Sequence, residues 1–192
     1  MIQLGKENNG MHFSGEQFAP DSLLDRCFFD CTFEQCLFHE MNLKKSRFSD
    51  CTFKGCSLQL PKFDGCRLQG VLFDESKIVG ADFFTCDEKF FSIQCRKSIL
   101  VGCNFSNMKM KQFIFSGSKL TDCQFLDTVL IEADFRECNL QGALFHHADL
   151  SKADFRDATN YAINPQSNSV KKARFSAPEA LSLLEYFDVD IH

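Results

Sequence analysis

Residues 28–53 read FFDCTFEQCLFHEMNLKKSRFSDCTF, and a large apolar side chain recurs in this stretch at every fifth position. The spacing extends in both directions: fifteen consecutive positions at steps of five, from Phe13 to Phe83, are all Phe, Leu or Ile. A second run continues at the same step from Leu100 to Phe155, offset by two residues from the first. Neither a helix nor an alternating strand produces a period of five, so the chain contains an internal repeat.

Small residues occupy the position two before each large one. Cys31, Cys36, Cys51 and Cys56 illustrate this in the first run, and Ala143, Ala148 and Ala153 in the second. The other three positions of each unit are mostly charged or polar. We therefore expect each five-residue unit to bury one large and one small side chain and to expose the rest to water.

Composition excludes several classes of protein. The chain has 192 residues and a net charge of −5, which suits one domain and argues against a basic nucleic-acid clamp. No apolar run approaches the ~18 residues of a membrane span, and the first residues lack the apolar region of a signal peptide. These features predict a cytoplasmic protein that binds neither nucleic acid directly nor membranes.

The cysteines and histidines do not have the spacing of a metal site or a catalytic site. Nine of the 11 Cys lie at the small inward position, Cys27 and Cys95 being the exceptions, and no two are spaced as CxxC. We expect small buried side chains in a reducing compartment rather than disulfides, a metal site or a nucleophile. His146 and His147 follow an inward Phe and should face water. With no catalytic motif visible, the sequence predicts no catalytic residues, no metal, no cofactor and no enzymatic activity.

Three units, Ala133-Asp134-Phe135-Arg136-Glu137, Ala148-Asp149-Leu150-Ser151-Lys152 and Ala153-Asp154-Phe155-Arg156-Asp157, resemble the motif of the pentapeptide-repeat family, small-Asp/Asn-Leu/Phe-x-x. The resemblance implies an all-β fold, a right-handed quadrilateral β-helix with four five-residue units per coil. Positions one coil apart should then stack, and Phe13, Phe33, Phe53 and Phe73 are all Phe. We expect about seven such coils.

Three segments follow from the pattern. Residues 1–12 are expected to form an N-terminal cap, residues 13–158 the β-helix with a register shift within 84–99, and residues 159–192 a C-terminal cap and dimerisation tail. Charged residues at the inward-equivalent positions Glu16, Asp21 and Arg26 suggest that the regular coil begins nearer Phe28. In the tail, Ser176 to Glu179 predicts a capping box, followed by a short helix to about Phe187 and an edge strand.

The tail from Asn160 to Ile191 is similar to that of the albicidin-resistance, Qnr-type and microcin-immunity group of gyrase-interacting pentapeptide-repeat proteins. In that group the tail makes a C-terminal-to-C-terminal dimer. The resemblance therefore implies a homodimer, with an interface formed by apolar residues of the tail: Leu181, Leu184, Phe187, Val189 and Ile191.

The same resemblance implies a non-catalytic mimic of duplex DNA that binds DNA gyrase or topoisomerase IV and confers resistance or immunity to a gyrase poison. Such mimicry requires an acidic surface. Asp134 and Asp154 are one coil apart, as are Glu137 and Asp157, so each pair should form an acidic column. The expected gyrase-binding columns comprise Asp127, Glu132, Asp134, Glu137, Asp154 and Asp157.

A basic segment argues against a simple DNA mimic. Between Lys97 and Lys119 there are four Lys and no acid, which predicts a basic belt across the middle of the rod. The first run also lacks the long projecting loops of Qnr-type proteins, unless residues 84–99 form one. The alternative function is therefore a structural or protein–protein interaction scaffold with an unrelated partner.

Overall fold

The computed structural model of the protein describes residues 4–189. The chain winds into a β-helix of about eight turns, which confirms the all-β quadrilateral fold. One longer 3₁₀ helix, Glu179–Phe187, follows the last turn of the β-helix. Two short 3₁₀ helices, Phe83–Thr85 and Glu88–Phe90, interrupt the β-helix near its middle. No helix among residues 4–189 is long and apolar enough to cross a membrane. The strands are β1 (Glu7–Asn9), β2 (His12–Ser14), β3 (Cys27–Phe29), β4 (Thr32–Glu34), β5 (Leu37–His39), β6 (Arg47–Ser49), β7 (Thr52–Lys54), β8 (Ser57–Gln59), β9 (Arg67–Asp74), β10 (Lys77–Val79), β11 (Phe91–Arg96), β12 (Ile99–Val101), β13 (Lys119–Thr121), β14 (Gln124–Leu126), β15 (Leu144–His146), β16 (Asp154–Phe155) and β17 (Arg174–Phe175).

Parallel pairing between successive coils fixes the repeat length. Phe33 in β4 pairs with Phe13 in β2 and with Phe53 in β7, so each coil here holds four five-residue units, as expected. The amide of Thr52 donates to the carbonyl of Cys31 at 2.9 Å, and that of Leu72 donates to Cys51 at 2.9 Å. Hydrogen bonds of this kind join each coil to its neighbours and satisfy the backbone of these very short strands.

The corners of the coil require a left-handed backbone. The second residue after the large one has a positive φ at most corners, for example 54° at Asp50 and 58° at Glu137. Asp and Asn tolerate this conformation better than most residues, and Gly adopts it freely. A Cβ at Gly142 would in addition meet the carboxylate of Asp122 on the preceding coil, which would have to turn away. Corner side chains therefore stack along the rod and point outward.

Phenyl rings stacked along the axis fill the interior. Ring centroids lie 4.7 Å apart for Phe33 and Phe53, and 4.8 Å apart for Phe135 and Phe155. Rings of adjacent columns meet edge to face, as Phe125 and Phe135 do at 6.0 Å. Both geometries are favourable for aromatic pairs, so the recurring Phe residues pack the core along its length.

Small inward side chains form hydrogen bonds to the backbone. The Ser98 hydroxyl accepts from the amide of Ser76 at 3.1 Å and lies within donating distance of two carbonyls, those of Arg96 at 3.0 Å and Phe73 at 3.2 Å. Ser118 repeats the pattern one coil on, accepting from the Ser98 amide at 3.0 Å and donating to Cys95. All three serines are buried. This serine ladder places polar groups in the core without leaving them unpaired.

The register changes at one place in the middle of the chain. The amide of Asp87 still donates to Cys66, as the regular repeat requires, and Phe91 then pairs with Leu68. In the first coil beyond the shift, each residue pairs with the residue 22 positions earlier rather than 20 positions earlier. Lys77, for example, pairs with Ile99 rather than with Lys97. Three extra residues are taken up by the turn of 3₁₀ helix at Glu88–Phe90 rather than by a long loop, and a β-bulge between Leu68 and Val71 of β9 reduces the offset to two.

The coil begins earlier than the sequence suggests. Strand β1 pairs in register with β3, and β2 with β4, so the expectation of a start nearer Phe28 is wrong. The charge of Arg26 suggested an irregular segment, but its side chain is half-buried and forms hydrogen bonds to backbone carbonyls at the N-terminal edge of the coil. Its guanidinium donates to the carbonyls of Ser22, Leu4 and Gly5 at 2.7, 2.9 and 2.6 Å.

The coil also continues past Ala158. Ser169 bridges to Asp149, and β17 pairs with β16, so residues 159–175 form part of a further turn. The predicted helix is present but is 3₁₀, and its predicted capping box is wrong. Ser176 instead donates its hydroxyl to the Asp157 carboxylate at 3.1 Å, and the Glu179 carboxylate accepts from the amide of Asn160. The expected edge strand covers residues 188–191. Asp188 has a left-handed φ of 53° and Val189 is not in a strand, whereas residues 190 and 191 lie outside the described residues.

Candidate interaction surfaces

The column of Asp134 and Asp154 exists, but arginines neutralise it. The two residues face each other across adjacent coils. Asp134 accepts from Arg136 Nε and Nη2 at 2.9 and 2.7 Å, and Asp154 accepts from Arg156 Nε and Nη2 at 2.9 and 2.6 Å. The hydrogen bond from Arg156 lowers the pKa of Asp154 below its usual value. These bidentate pairs remove most of the negative potential expected there.

Glu132 and Asp127 also have cationic or polar partners. Glu132 accepts from Lys152 Nζ at 2.8 Å and from Gln112 Nε2 at 2.8 Å, each on a neighbouring coil. The bond from Lys152 lowers the pKa of the Glu132 carboxyl. The Asp127 carboxylate lies 3.3 Å from Nδ1 of His147, which faces water as expected. Glu132 is therefore neutralised by an ion pair, whereas Asp127 is exposed beside an imidazole.

Glu137 and Asp157 keep their charge. Both are exposed at successive corners of the same edge, with φ of 58° and 60°. Neither forms an ion pair with any residue between 4 and 189. The Asp157 carboxylate accepts the neutral hydroxyl of Ser176. Of the six acids expected in the columns, these two form the exposed acidic column.

The four lysines between Lys97 and Lys119 surround the rod rather than forming one patch. Lys97 is at a corner, Lys109 bridges to Val129 on one wall, and Lys119 lies in β13 on another. The positive charge is therefore distributed over several faces at one level.

The tail presents an apolar row. In a 3₁₀ helix side chains three apart eclipse, so Leu181, Leu184 and Phe187 share one side. They are 48%, 39% and 48% exposed, and Val189 beyond the helix is 51% exposed. Leu183 is partly buried and packs against the core. The four exposed residues form what we call the apolar row; Ile191 lies outside the described residues.

The cysteines behave as small buried side chains. All eleven are free thiols, and Cys27 alone is not buried. Cys138 Sγ donates to the carbonyl of Phe115 at 3.0 Å, and Cys51 Sγ to that of Phe28 at 3.4 Å. Burial raises the pKa of both thiols to about 12, so both stay protonated near neutral pH. Residues 4–189 contain no group of three His, Cys, Asp or Glu side chains arranged to hold a metal ion.

One feature was not singled out from the sequence: Arg47 and Arg67, side by side in β6 and β9. Asp87, on the next coil, forms an ion pair with Arg67. The sequence carried a readable signal for the two arginines, because both occupy the same position of the repeat in successive coils.

The chain is similar to several known proteins. A family model described as pentapeptide repeat region matches residues 27–97, and one described as SV2A/B/C luminal domain matches residues 72–164. A trypsin-treated form of QnrB1, a plasmid-mediated fluoroquinolone resistance protein, is 15% identical with a TM-score of 0.62, over 95% of this chain and 99% of that chain. HetL, a pentapeptide-repeat protein involved in heterocyst differentiation regulation from the cyanobacterium Nostoc sp., is 15% identical with a TM-score of 0.43, over 87% of this chain and 84% of that chain. No curated protein matches.

The five-residue period, the pairing register of the coils and the repeat-region match agree with one another. The chain is a quadrilateral β-helix, and its residues 27–97 match the pentapeptide-repeat family model.

Proposed function

We propose that this protein is a non-catalytic rod that binds the DNA-binding surface of DNA gyrase or topoisomerase IV, and so confers resistance or immunity to a gyrase poison. The observation that carries the proposal is the exposed acidic column of Glu137 and Asp157. These carboxylates lie on successive coils and repeat about every 4.8 Å along the axis, compared with about 3.4 Å per nucleotide along one DNA strand.

The length of the rod supports the same function. About eight turns at ~4.8 Å make a rod of roughly 38 Å, the length of about 11 base pairs at roughly 3.4 Å each. The protein shares its fold over nearly its full length with a fluoroquinolone resistance protein. A rigid core of stacked rings allows such a rod to hold charges at fixed spacing.

The apolar row supports a homodimer. Four large apolar residues within nine positions are exposed at one end of the rod, namely Leu181, Leu184, Phe187 and Val189. A second copy meeting this end would bury them, and two rods end to end would double the length available to the enzyme.

The test is supercoiling by purified gyrase, titrated with the protein, with and without albicidin or a fluoroquinolone. We expect inhibition at micromolar protein or rescue from one poison, and we expect either effect to weaken as salt rises. Glu137→Lys with Asp157→Lys should abolish the effect.

Asp30→Lys with Asp50→Lys is the matched control, because these exposed acids also occupy successive corners of one edge. The control should retain the activity. Equal loss in both double variants would exclude a specific role for the exposed acidic column, and no effect of the native protein on either enzyme would exclude the function.

A second candidate, an interaction scaffold with another partner, is favoured by the ion pairs of Asp134 and Asp154, which reduce the negative potential of one wall. A scaffold would leave supercoiling unchanged and bind its partner independently of the Glu137 and Asp157 substitutions.

A further inference from the structure

A groove on one wall of the N-terminal half carries two adjacent arginines. Arg47 in β6 pairs in register with Arg67 in β9, so their side chains project from neighbouring coils. A surface cavity of about 430 Å³ lies over them and is lined by Phe29, Arg47, Ser49, Arg67, Gln69 and Phe90. Like charges directly opposite in a sheet destabilise it, so the pair requires compensation or a ligand.

Arg67 is held in place, with its terminal nitrogens left available. Its Nε donates to the Asp87 carboxylate at 3.1 Å, and its guanidinium carbon lies 4.4 Å from the centre of the Phe90 ring. Neither contact uses the Nη atoms. The guanidinium is therefore oriented before any ligand arrives, which lowers the entropic cost of binding.

Arg47 has no such compensation. No hydrogen bond or ion pair joins it to another side chain between residues 4 and 189. A second cavity of about 340 Å³ adjoins the same two arginines and adds Lys45. Its two carboxylates are already engaged, Asp25 with Lys6 and Asp87 with Arg67. Positive charge is thus locally in excess in a protein of net charge −5.

Two aromatic rings complete the groove. Phe29 is half-buried in β3, and Phe90 is 38% exposed at the end of a 3₁₀ helix. Phe90 is brought here by the residues gained at the register shift. An apolar surface beside two guanidinium groups suits a ligand that joins a dianionic oxyanion to a planar or apolar group.

We propose that this arginine groove binds a phosphate monoester of an aromatic or nucleoside group. A phosphate monoester carries close to two negative charges at neutral pH and offers three oxygens, enough to meet both guanidinium groups. A carboxylate carries one charge and would satisfy only one of them. The planar group would then rest against Phe29 and Phe90.

The test is titration of the ¹⁵N-labelled protein with phenyl phosphate, adenosine monophosphate and inorganic phosphate, followed by amide chemical shifts and by calorimetry. We expect both esters to bind at least tenfold more tightly than inorganic phosphate and to shift amides of β3, β6 and β9. Arg47→Gln should weaken ester binding at least tenfold. Phe29→Ala, which leaves Phe90 on Arg67, should weaken the esters while leaving inorganic phosphate unchanged.

Arg96→Gln is the matched control, because Arg96 is an exposed strand arginine on another wall, and its guanidinium donates to Gln94. It should bind as the native protein does, and thermal unfolding should show every variant folded. Absence of binding by all three probes at millimolar concentration, or undiminished binding in Arg47→Gln, would overturn the proposal. Equal affinity for the esters and inorganic phosphate would overturn the role of the rings.

Discussion

Removing one hydroxyl from the serine ladder should destabilise the whole rod. In Ser98→Ala the amide of Ser76, buried between two coils, loses its acceptor, and the carbonyls of Arg96 and Phe73 lose the one hydroxyl that donates between them. A buried donor left unpaired costs about 1–3 kcal/mol, and the second bond adds about 1 kcal/mol. Because the methyl group leaves no room for water in this packed column, we expect a loss of roughly 2–4 kcal/mol in the free energy of unfolding.

Urea unfolding followed by circular dichroism measures this loss. Ser98→Cys is the informative partner, since Cys56 occupies the equivalent place two coils earlier and donates to the carbonyl of Phe33 at 3.2 Å. It should lose less than half as much stability as Ser98→Ala. Ser14→Ala, at an exposed strand position, should change little. A Ser98→Ala protein within about 0.5 kcal/mol of native stability would refute the reasoning, because surface substitutions alone cause changes of that size.

Three further predictions concern the core, the tail and pH. Phe53→Ala, which removes a ring stacked at 4.7 and 5.0 Å on Phe33 and Phe73, should cost about 3–5 kcal/mol in urea unfolding, with Phe53→Leu costing clearly less. Leu184→Asp should give a monomer by light scattering, whereas a variant with the mass of a dimer would show that the apolar row does not form the interface. Asp154→Asn should be less stable than the native protein near neutral pH. Because the folded-state pKa of Asp154 is lowered, that difference should shrink as pH falls below 3.8 and vanish below the folded-state pKa, and a constant difference would contradict the ion pair.

Much of the fold was readable because the same environment recurs. A period of five places every large residue inward, and Phe at the same position of successive coils predicts the stacked rings that the structure contains. The register shift was harder to place, since Phe83 to Phe90 and Ile93 to Leu100 are both seven-residue steps. Packing resolves it: Phe91, rather than Phe90, meets Phe83 at 6.0 Å.

The ends could not be predicted from hydrophobic pattern alone. Arg26 sits at an inward-equivalent position, yet its guanidinium donates to three backbone carbonyls at the open edge of the coil. From sequence alone, a charged residue that hydrogen-bonds to backbone carbonyls cannot be distinguished from one that interrupts the repeat. At the other end, Ser176 and Glu179 have the spacing of a capping box but bond to the preceding coil instead.

For the acidic columns, position was predictable and charge was not. The coil repeat correctly stacks Asp134 on Asp154. Each Asp, however, is followed two residues later by an Arg in the corner turn, and both the backbone amide and the guanidinium of that Arg donate to the Asp carboxylate. At a corner the chain turns, and Glu137 and Asp157 take no part in those pairs. The two acids of the expected columns that form no ion pair therefore lie at corners rather than on walls, and the proposed DNA mimicry depends on the corner position.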